Sequence, residues 1–519
     1  MDLSKSVIGL ELGSTRIKAV LLDENLSPAA FGAYEWENEL IDGIWTYGYD
    51  KIDEGIISCF SSLKADVMKK YGVKLTRVGA IGISGMMHGY IPLDNDLKPL
   101  TNFYTWRNNA TEAADALYNI LGIAIPARWT VSHLFNSIMK KEEHLKELAY
   151  LTTLAGYVHL KLTGEFVLGI GEASGVFPIG ENSEYSKEMT AKFDTEAGKY
   201  GFTKSLTDII PKIKAAGEVA GYLTESGAKY LDPDGDLLPG IPFAPPEGDA
   251  DTGMVATNSV KIGTGNVSCG TSDFVMIVTE CAPKKNKSIN VLKTPHGKDV
   301  AMIHCSNCTS DINAWCDIFA EFAELIGSSI SKNELYTKLF TLAIKEGSST
   351  DGLLSYNYVS GEALTGFSEG RPLFLRKPTA KLSLGGFMRT HLFSALATLK
   401  LGMKKLESEG VEVKSILAHG GYFKTEGVGD SILSAALGCE VCTMKTAGEG
   451  GPYGMALLAA YVLHNKNYSD LSSFLDLAAF KDAKITRTIA KEELRAEFSE
   501  FTERYEKALA VEKEAVSCV

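Results

Sequence analysis

No run of apolar residues in this chain is both long enough and free enough of charge to cross a bilayer, which argues against a helical membrane span. The opening Met1-Asp2-Leu3-Ser4-Lys5 lacks the basic-then-apolar pattern of a secretory leader, so a cytoplasmic protein is expected. Positive charge is also short: 52 Lys and Arg stand against 65 Asp and Glu, a formal net charge of -13. Nucleic acid and anionic membrane are therefore disfavoured as partners, because both are gripped by basic patches. An anionic small molecule would have to be met by a local site or by a metal.

Cysteine is sparse as well, with nine among 519 residues. Two CxxC pairs, Cys305/Cys308 and Cys439/Cys442, raise the question of a four-thiolate zinc site. They lie far apart in sequence, neither in a glycine- or charge-rich knuckle. Cys439-Glu440-Val441-Cys442 reads as a strand, which puts residues three apart on opposite faces. Reduced, mostly buried thiols are the expectation. The length exceeds one typical core and suits two domains, here divided as 1–255 and 256–519.

What the chain does have is the same glycine turn twice. Ile8-Gly9-Leu10-Glu11-Leu12-Gly13-Ser14-Thr15-Arg16-Ile17-Lys18 and Gly263-Thr264-Gly265-Asn266-Val267-Ser268-Cys269-Gly270-Thr271-Ser272 each bend an apolar strand through Gly-Ser/Thr into another strand. That geometry can aim backbone N–H groups and a hydroxyl at a phosphate. The turns sit about half the chain apart, which suggests two related domains that each lend a hairpin to one anion. A third glycine element, His419-Gly420-Gly421-Tyr422, follows the strand-like 415–418 and precedes a helix over 430–437. Glu449-Gly450-Gly451-Pro452 then opens an alanine-rich helix. Paired glycines between strand and helix let a flat ring approach the backbone, which suits a nucleotide base.

Nearer the N-terminus, strands are expected at 6–10, 17–22 and 30–34 and a helix at about 51–71. A near-continuously apolar strand over 77–84 then ends at Gly85-Met86-Met87-His88-Gly89. Loops beyond the C-terminal ends of such strands are where α/β proteins place ligands, so Met87 and His88 point toward a site. The segment 133–178 looks helical, and 491–513 reads as a solvated terminal helix.

Taken in order, these motifs resemble the FGGY family of carbohydrate kinases, within the actin-like ATPase superfamily, over almost the whole chain. The resemblance implies an α/β fold of two actin-like (ribonuclease H-like) domains with an ATP and sugar cleft between them. It implies ATP and Mg2+ as cofactors, and a homodimer as the assembly to look for. Matching residue by residue, the loop Pro245-Pro246-Glu247-Gly248-Asp249-Ala250-Asp251-Thr252-Gly253-Met254 corresponds to the family's catalytic loop, with Asp249 as general base and substrate contact. Asp251 is then expected to be solvated or linked to metal through water. Glu172 falls where relatives carry Asp and is a neighbour of the site.

The same matching makes Gly13, Ser14, Thr15 and Lys18, with Gly270, Thr271 and Ser272, the phosphate-binding set. Gly420 and Gly421 face adenosine, with Glu449 or Gly450 close behind. Glu11 stands where the family has Asp and, with Asp249, is the metal-binding candidate. The Met87-His88 pair resembles that of the family's xylulose and gluconate kinases, and Trp106 and Asn108 complete the substrate candidates, Asn108 in place of an expected Asp. The implied reaction is phosphorylation of a sugar hydroxyl, on a ketopentose such as D-xylulose. Alternatives are L-ribulose, gluconate or a related polyol, or a sugar-responsive ATPase or regulator without phosphotransfer.

Overall fold

The computed structural model describes residues 2–180, 182–283, 288–444 and 450–518. The chain forms two compact units, and neither is a continuous half. The first comprises Met1–Val260, Asn290–Val300 and Glu449–Ala483; the second comprises Lys261–Ile289, Ala301–Gly448 and Lys484–Val519. The first break falls after Val260, and the helix that follows Glu449 belongs to the first unit rather than to the second.

In the first unit a five-stranded sheet runs in the order Glu247–Gly248, Ala80–Gly85, Val7–Leu12, Arg16–Leu22 and Pro28–Glu35. The last three are joined as consecutive antiparallel strands, and Ala80–Gly85 and Glu247–Gly248 add on parallel to Val7–Leu12. Val7–Leu12 and Ala80–Gly85 are buried at every position, which explains why they read as apolar runs interrupted only by Glu11 and Ser84. Helix Tyr49–Tyr71 covers one face through Ile52, Ile56, Phe60, Leu63 and Val67, a 3.6-residue stripe ended by the left-handed Gly72.

The other face is covered by helix Gly450–His464, which carries Pro452 in its first turn, where its missing N–H has no bond to lose. The approach is so close that side chains are absent at the contacts. A Cβ on Gly9 would lie 2.1 Å from the Pro452 carbonyl oxygen, and one on Gly454 would lie 1.9 Å from that of Thr252. Glycine here is a packing requirement, and it seats this helix against both the sheet and the helix Asp249–Ala256.

The second unit repeats the plan. Strands Asp299–Cys305, Asp273–Thr279, Thr264–Cys269, Ser415–His419, Glu440–Met444 and Ile485–Thr488 follow one another across its sheet. Thr264–Cys269 pairs antiparallel with Asp273–Thr279 and parallel with Ser415–His419, as Val7–Leu12 does with its two neighbours. The buried helix Leu384–Ser408 anchors its core. The expected helix over 133–178 is instead broken into Thr130–Lys140, Leu154–Thr163 and Ile170–Ser174, because glycines and short strands interrupt it. The terminal helix divides into Glu492–Lys507 and Leu509–Cys518, and Phe498, Phe501 and Tyr505 are buried rather than solvated.

Candidate active site

The first hairpin is held from behind by its carbonyls. The Trp36 indole donates to the Gly13 oxygen at 2.7 Å, the Tyr47 hydroxyl donates to the Ser14 oxygen at 2.6 Å, and the Trp36 amide donates to the Thr15 oxygen at 3.2 Å. Trp36 and Tyr47 brace one another with ring centroids 4.2 Å apart. With all three carbonyls turned inward, the amides of Ser14 and Thr15 donate to no group among the described residues. A turn so arranged presents N–H groups outward, which is what a phosphate needs.

The second hairpin uses the same device with different residues. Thr309 donates through both its amide and its hydroxyl to the Gly270 oxygen, at 3.0 and 2.7 Å, and the Cys308 amide donates to the Thr271 oxygen at 2.9 Å. The amides of Thr271 and Ser272 likewise have no acceptor among the described residues. Gly420 lies against this hairpin at φ +107°, and a Cβ there would sit 2.3 Å from the Cys269 carbonyl oxygen. Gly421 has nothing within 4 Å of its open side. Glu449 lies outside the described residues; Gly450 belongs to the first unit, and Gly420 and Gly421 to the second.

Asp249 is the first residue of its helix, partly exposed, and takes N–H donation from Ala250 at 2.9 Å and from the Met87 backbone. The helix N-terminus and these donors favour its anion, but burial outweighs them and moves its carboxyl up to about 6. Glu11 is buried on Val7–Leu12, two strands across the sheet from Glu247–Gly248, and is pushed up to about 7 by burial, with Lys18 opposing and the Asp249 charge adding to the shift. A Cβ on Gly13 would lie 3.9 Å from the Glu11 carboxyl carbon, so the hairpin, Glu11 and Asp249 form one locality. Glu11 accepts no hydrogen bond among the described residues. Two adjoining carboxylates disfavoured as anions suit a divalent cation, so Glu11 and Asp249 fit the magnesium expected of a kinase; when bound it would neutralise phosphate charge. Lys18 is cross-strand partner to Glu11, within reach of its charge.

Behind Asp249 lies a group of acids: Glu172, expected as a neighbour of the site, is joined there by Glu247 and Asp251, whose burial was not expected. Glu172, Glu247 and Asp251 are all fully buried, and the oxygens of Glu172 and Asp251 have no hydrogen-bond partner of ordinary geometry among the described residues. The Glu172 amide donates to Glu247 at 2.8 Å. Asp251 is thus not solvated as expected: the first turn of its helix points it inward, under Gly171 and Gly248. Burial and mutual repulsion hold Glu172 and Asp251 well above the usual carboxylate range and push Glu247 up to about 8. The run Glu-Gly-Asp-x-Asp at a strand-to-helix junction was the available signal.

The stability consequence follows in sign. A carboxyl whose folded pKa exceeds its unfolded value binds protons more tightly when folded, so its contribution is full below about pH 4 and is lost as pH rises through the folded value. Thermal stability is therefore expected to decline between about pH 5 and 8. Glu247→Gln, which keeps an acceptor for the Glu172 amide, should flatten that decline and raise Tm at pH 8, as read by calorimetry across pH.

His88 adopts a left-handed φ of +67° and is buried, with Nδ1 3.4 Å from the Gly175 oxygen and its ring stacked on Trp129 at 5.9 Å. Burial and the neighbouring Arg128 hold it neutral, well below its usual value. Met87 packs beside it, against Gly248. Trp129 and Arg128 were not legible in sequence, since Pro126-Ala127-Arg128-Trp129 carries no recognisable motif. Of the remaining substrate candidates, Trp106 is 43% exposed. Asn108 is committed elsewhere: its amide accepts from the Trp45 N–H at 2.9 Å and donates to the Trp45 carbonyl at 2.7 Å, so it pins that backbone.

Each of the two α/β units carries a hairpin of outward amides, and the first also a carboxylate at a helix N-terminus, an arrangement suited to holding phosphate. The comparisons narrow this. The chain belongs to the FGGY family of carbohydrate kinases: the N-terminal domain model of that family matches residues 6–255 and the C-terminal domain model matches residues 265–463. It is a carbohydrate kinase, a phosphotransferase acting on an alcohol group, in a family that uses ATP. The xylulose kinase of Haemophilus influenzae is 22% identical over 407 residues, 72% of this chain and 76% of that protein. The structure of xylulose kinase from Rhodospirillum rubrum superposes with a TM-score of 0.78 at 17% identity, covering 98% of each chain. Gluconate kinase from Lactobacillus acidophilus gives 0.77 at 17% identity with the same coverage. At these identities the structural likeness shows the fold. Among the described residues, no helix is long and apolar enough to cross a membrane.

Proposed function

We propose that the protein transfers the γ-phosphoryl group of ATP to a hydroxyl of an open-chain ketopentose such as D-xylulose, with Asp249 as general base. The observation that carries the reading is the placement of Asp249. Its carboxyl is partly exposed, shares a locality with Glu11 and the Ser14-Thr15 amides, and is tied to the backbone of Met87, next to His88 and Trp129. Ser14, Thr15 and Lys18 in the first unit and Thr271 and Ser272 in the second are the phosphate ligands, and Gly420 and Gly421 the glycines facing adenosine. Neutral His88 and Met87 contact the sugar. Proton acceptance needs the Asp249 anion, so kcat/KM falls tenfold per pH unit below about 6 and is level above it.

One observation favours a second acceptor. Arg128 is deeply set beside His88 and, among the described residues, pairs with no carboxylate. A cation left over beside the sugar contacts suits the carboxylate of an aldonate such as gluconate. Ketopentoses, ketohexoses, polyols and aldonates assayed for ADP release decide between them. Under the first reading D-xylulose or a related ketopentose has the highest kcat/KM, and Arg128→Leu changes it little. Under the second an aldonate leads, and Arg128→Leu raises its KM by about tenfold or more. Absence of acceptor-stimulated ADP release from every member would remove both.

A further inference from the structure

The second unit buries a group of metal-ligand side chains that the kinase chemistry does not use. Cys269 ends the strand leading into the second hairpin and Asp273 begins the strand leaving it, so they face each other as cross-strand partners. Cys305 ends the next strand, and Cys308 lies in the loop that holds the hairpin from behind. All four are fully buried. The sulfurs of Cys269 and Cys308 and a carboxylate oxygen of Asp273 lie within 4.8 Å of one another. The Cys305 thiol abuts Asp273, and those of Cys269 and Cys308 abut each other. Both Asp273 oxygens lack any hydrogen-bond donor of ordinary geometry among the described residues. A carboxylate enclosed in protein without such donors is disfavoured unless it takes up a proton or a cation meets it.

We propose that Cys269, Cys308, Asp273 and Cys305 bind a structural zinc ion directly behind the Gly270-Thr271-Ser272 hairpin. Zinc takes thiolate and carboxylate donors in a closed tetrahedron at about 2.0–2.3 Å, which places donor atoms roughly 3.5–3.8 Å apart; for Cys269, Cys308 and Asp273 that is a small contraction from their present spacing, and the Cys305 thiol, which abuts Asp273 but lies outside that group, turns in to complete the set. Each thiol gives up its proton to solvent as its sulfur binds the metal. This proposal departs from the expectation of reduced, metal-free thiols at Cys305-x-x-Cys308. Cys439 and Cys442 lie on a different strand and take no part; the second pair of donors comes from the two ends of the hairpin. The ion would cross-link the base of the hairpin to the loop whose Cys308 and Thr309 groups hold its carbonyls. It would therefore fix the direction of the Thr271 and Ser272 amides.

The test is metal content and spectroscopy, neither of which depends on the substrate assignment. Protein purified without chelator should contain about one zinc per chain by mass spectrometry. After exchange, Co2+ should show a thiolate charge-transfer band and the intense visible bands of a tetrahedral site. Cys308→Ser and Asp273→Asn should each abolish stoichiometric binding, while Cys439→Ala with Cys442→Ala leaves it unchanged. The Co2+ spectrum is read on wild-type protein, so misfolding of a variant does not blunt the test. Folded protein that is free of zinc and shows no tetrahedral cobalt spectrum overturns the proposal, as does a Cys269–Cys308 disulfide in its place.

Discussion

Asp249→Asn should lower turnover by a factor on the order of 100 or more while MgATP binding, read by calorimetry, stays within a few-fold of wild type. The substitution is nearly isosteric. Asn retains an oxygen to accept the Ala250 and Met87 amides, so the helix start and the loop carrying His88 stay in place. What disappears is the capacity to take a proton from the attacking hydroxyl, and with it the carboxylate next to Glu11. In phosphoryl transfer most acceleration comes from positioning and charge stabilisation, so residual activity should remain. Turnover near wild type in this variant would remove Asp249 from its assigned role.

Gly454→Val should be the most damaging substitution away from the reacting groups. A Cβ at Gly454 meets the Thr252 carbonyl oxygen at 1.9 Å, and both sides of the contact are backbone, so no side chain can rotate away. The two helices must separate, which costs about 3 kcal/mol by comparison with other overpacked interiors. Thr252 is less than one turn from Asp249, so the shift also displaces the base, and misplacement of that kind lowers rates by on the order of 100-fold. Denaturant unfolding and steady-state turnover should both show the loss. Gly198→Ala, in open space on helix Lys187–Lys199, should instead leave turnover unchanged and raise stability by about 0.5–1 kcal/mol. If Gly454→Val were as mild as Gly198→Ala, the close seating of helix Gly450–His464 would be wrong.

The parts of the molecule that were legible in sequence are those where local pattern and function coincide. The strands Val7–Leu12 and Arg16–Leu22 announce themselves by apolar runs meeting at Gly13-Ser14-Thr15, and the second hairpin repeats the signature at Gly270. Helix Tyr49–Tyr71 follows from its 3.6-residue stripe. What could not be read is what depends on distant chain segments meeting. That helix Gly450–His464 serves the first unit is visible only in the close approaches made at Gly9 and Gly454 to backbone and at Gly451 to the Glu11 side chain. That the Asn108 amide bonds the Trp45 backbone could not be read either, because Trp45 lies 63 positions away. Asp251 looked solvated because carboxylates usually are, and its burial comes from Gly171 and Gly248 closing over it. Arg128 beside His88 depends on a loop whose path no local motif dictates.

The most direct measurement of the central claim is the ratio of ADP released to sugar phosphate formed, followed by phosphorus NMR with and without acceptor, in wild type and in Asp249→Asn. A kinase whose base sits at Asp249 gives equal amounts of the two products, negligible ADP without sugar, and parallel loss of both in the variant. Steady ADP release that is indifferent to acceptor, or undiminished phosphorylated sugar from Asp249→Asn, would contradict it.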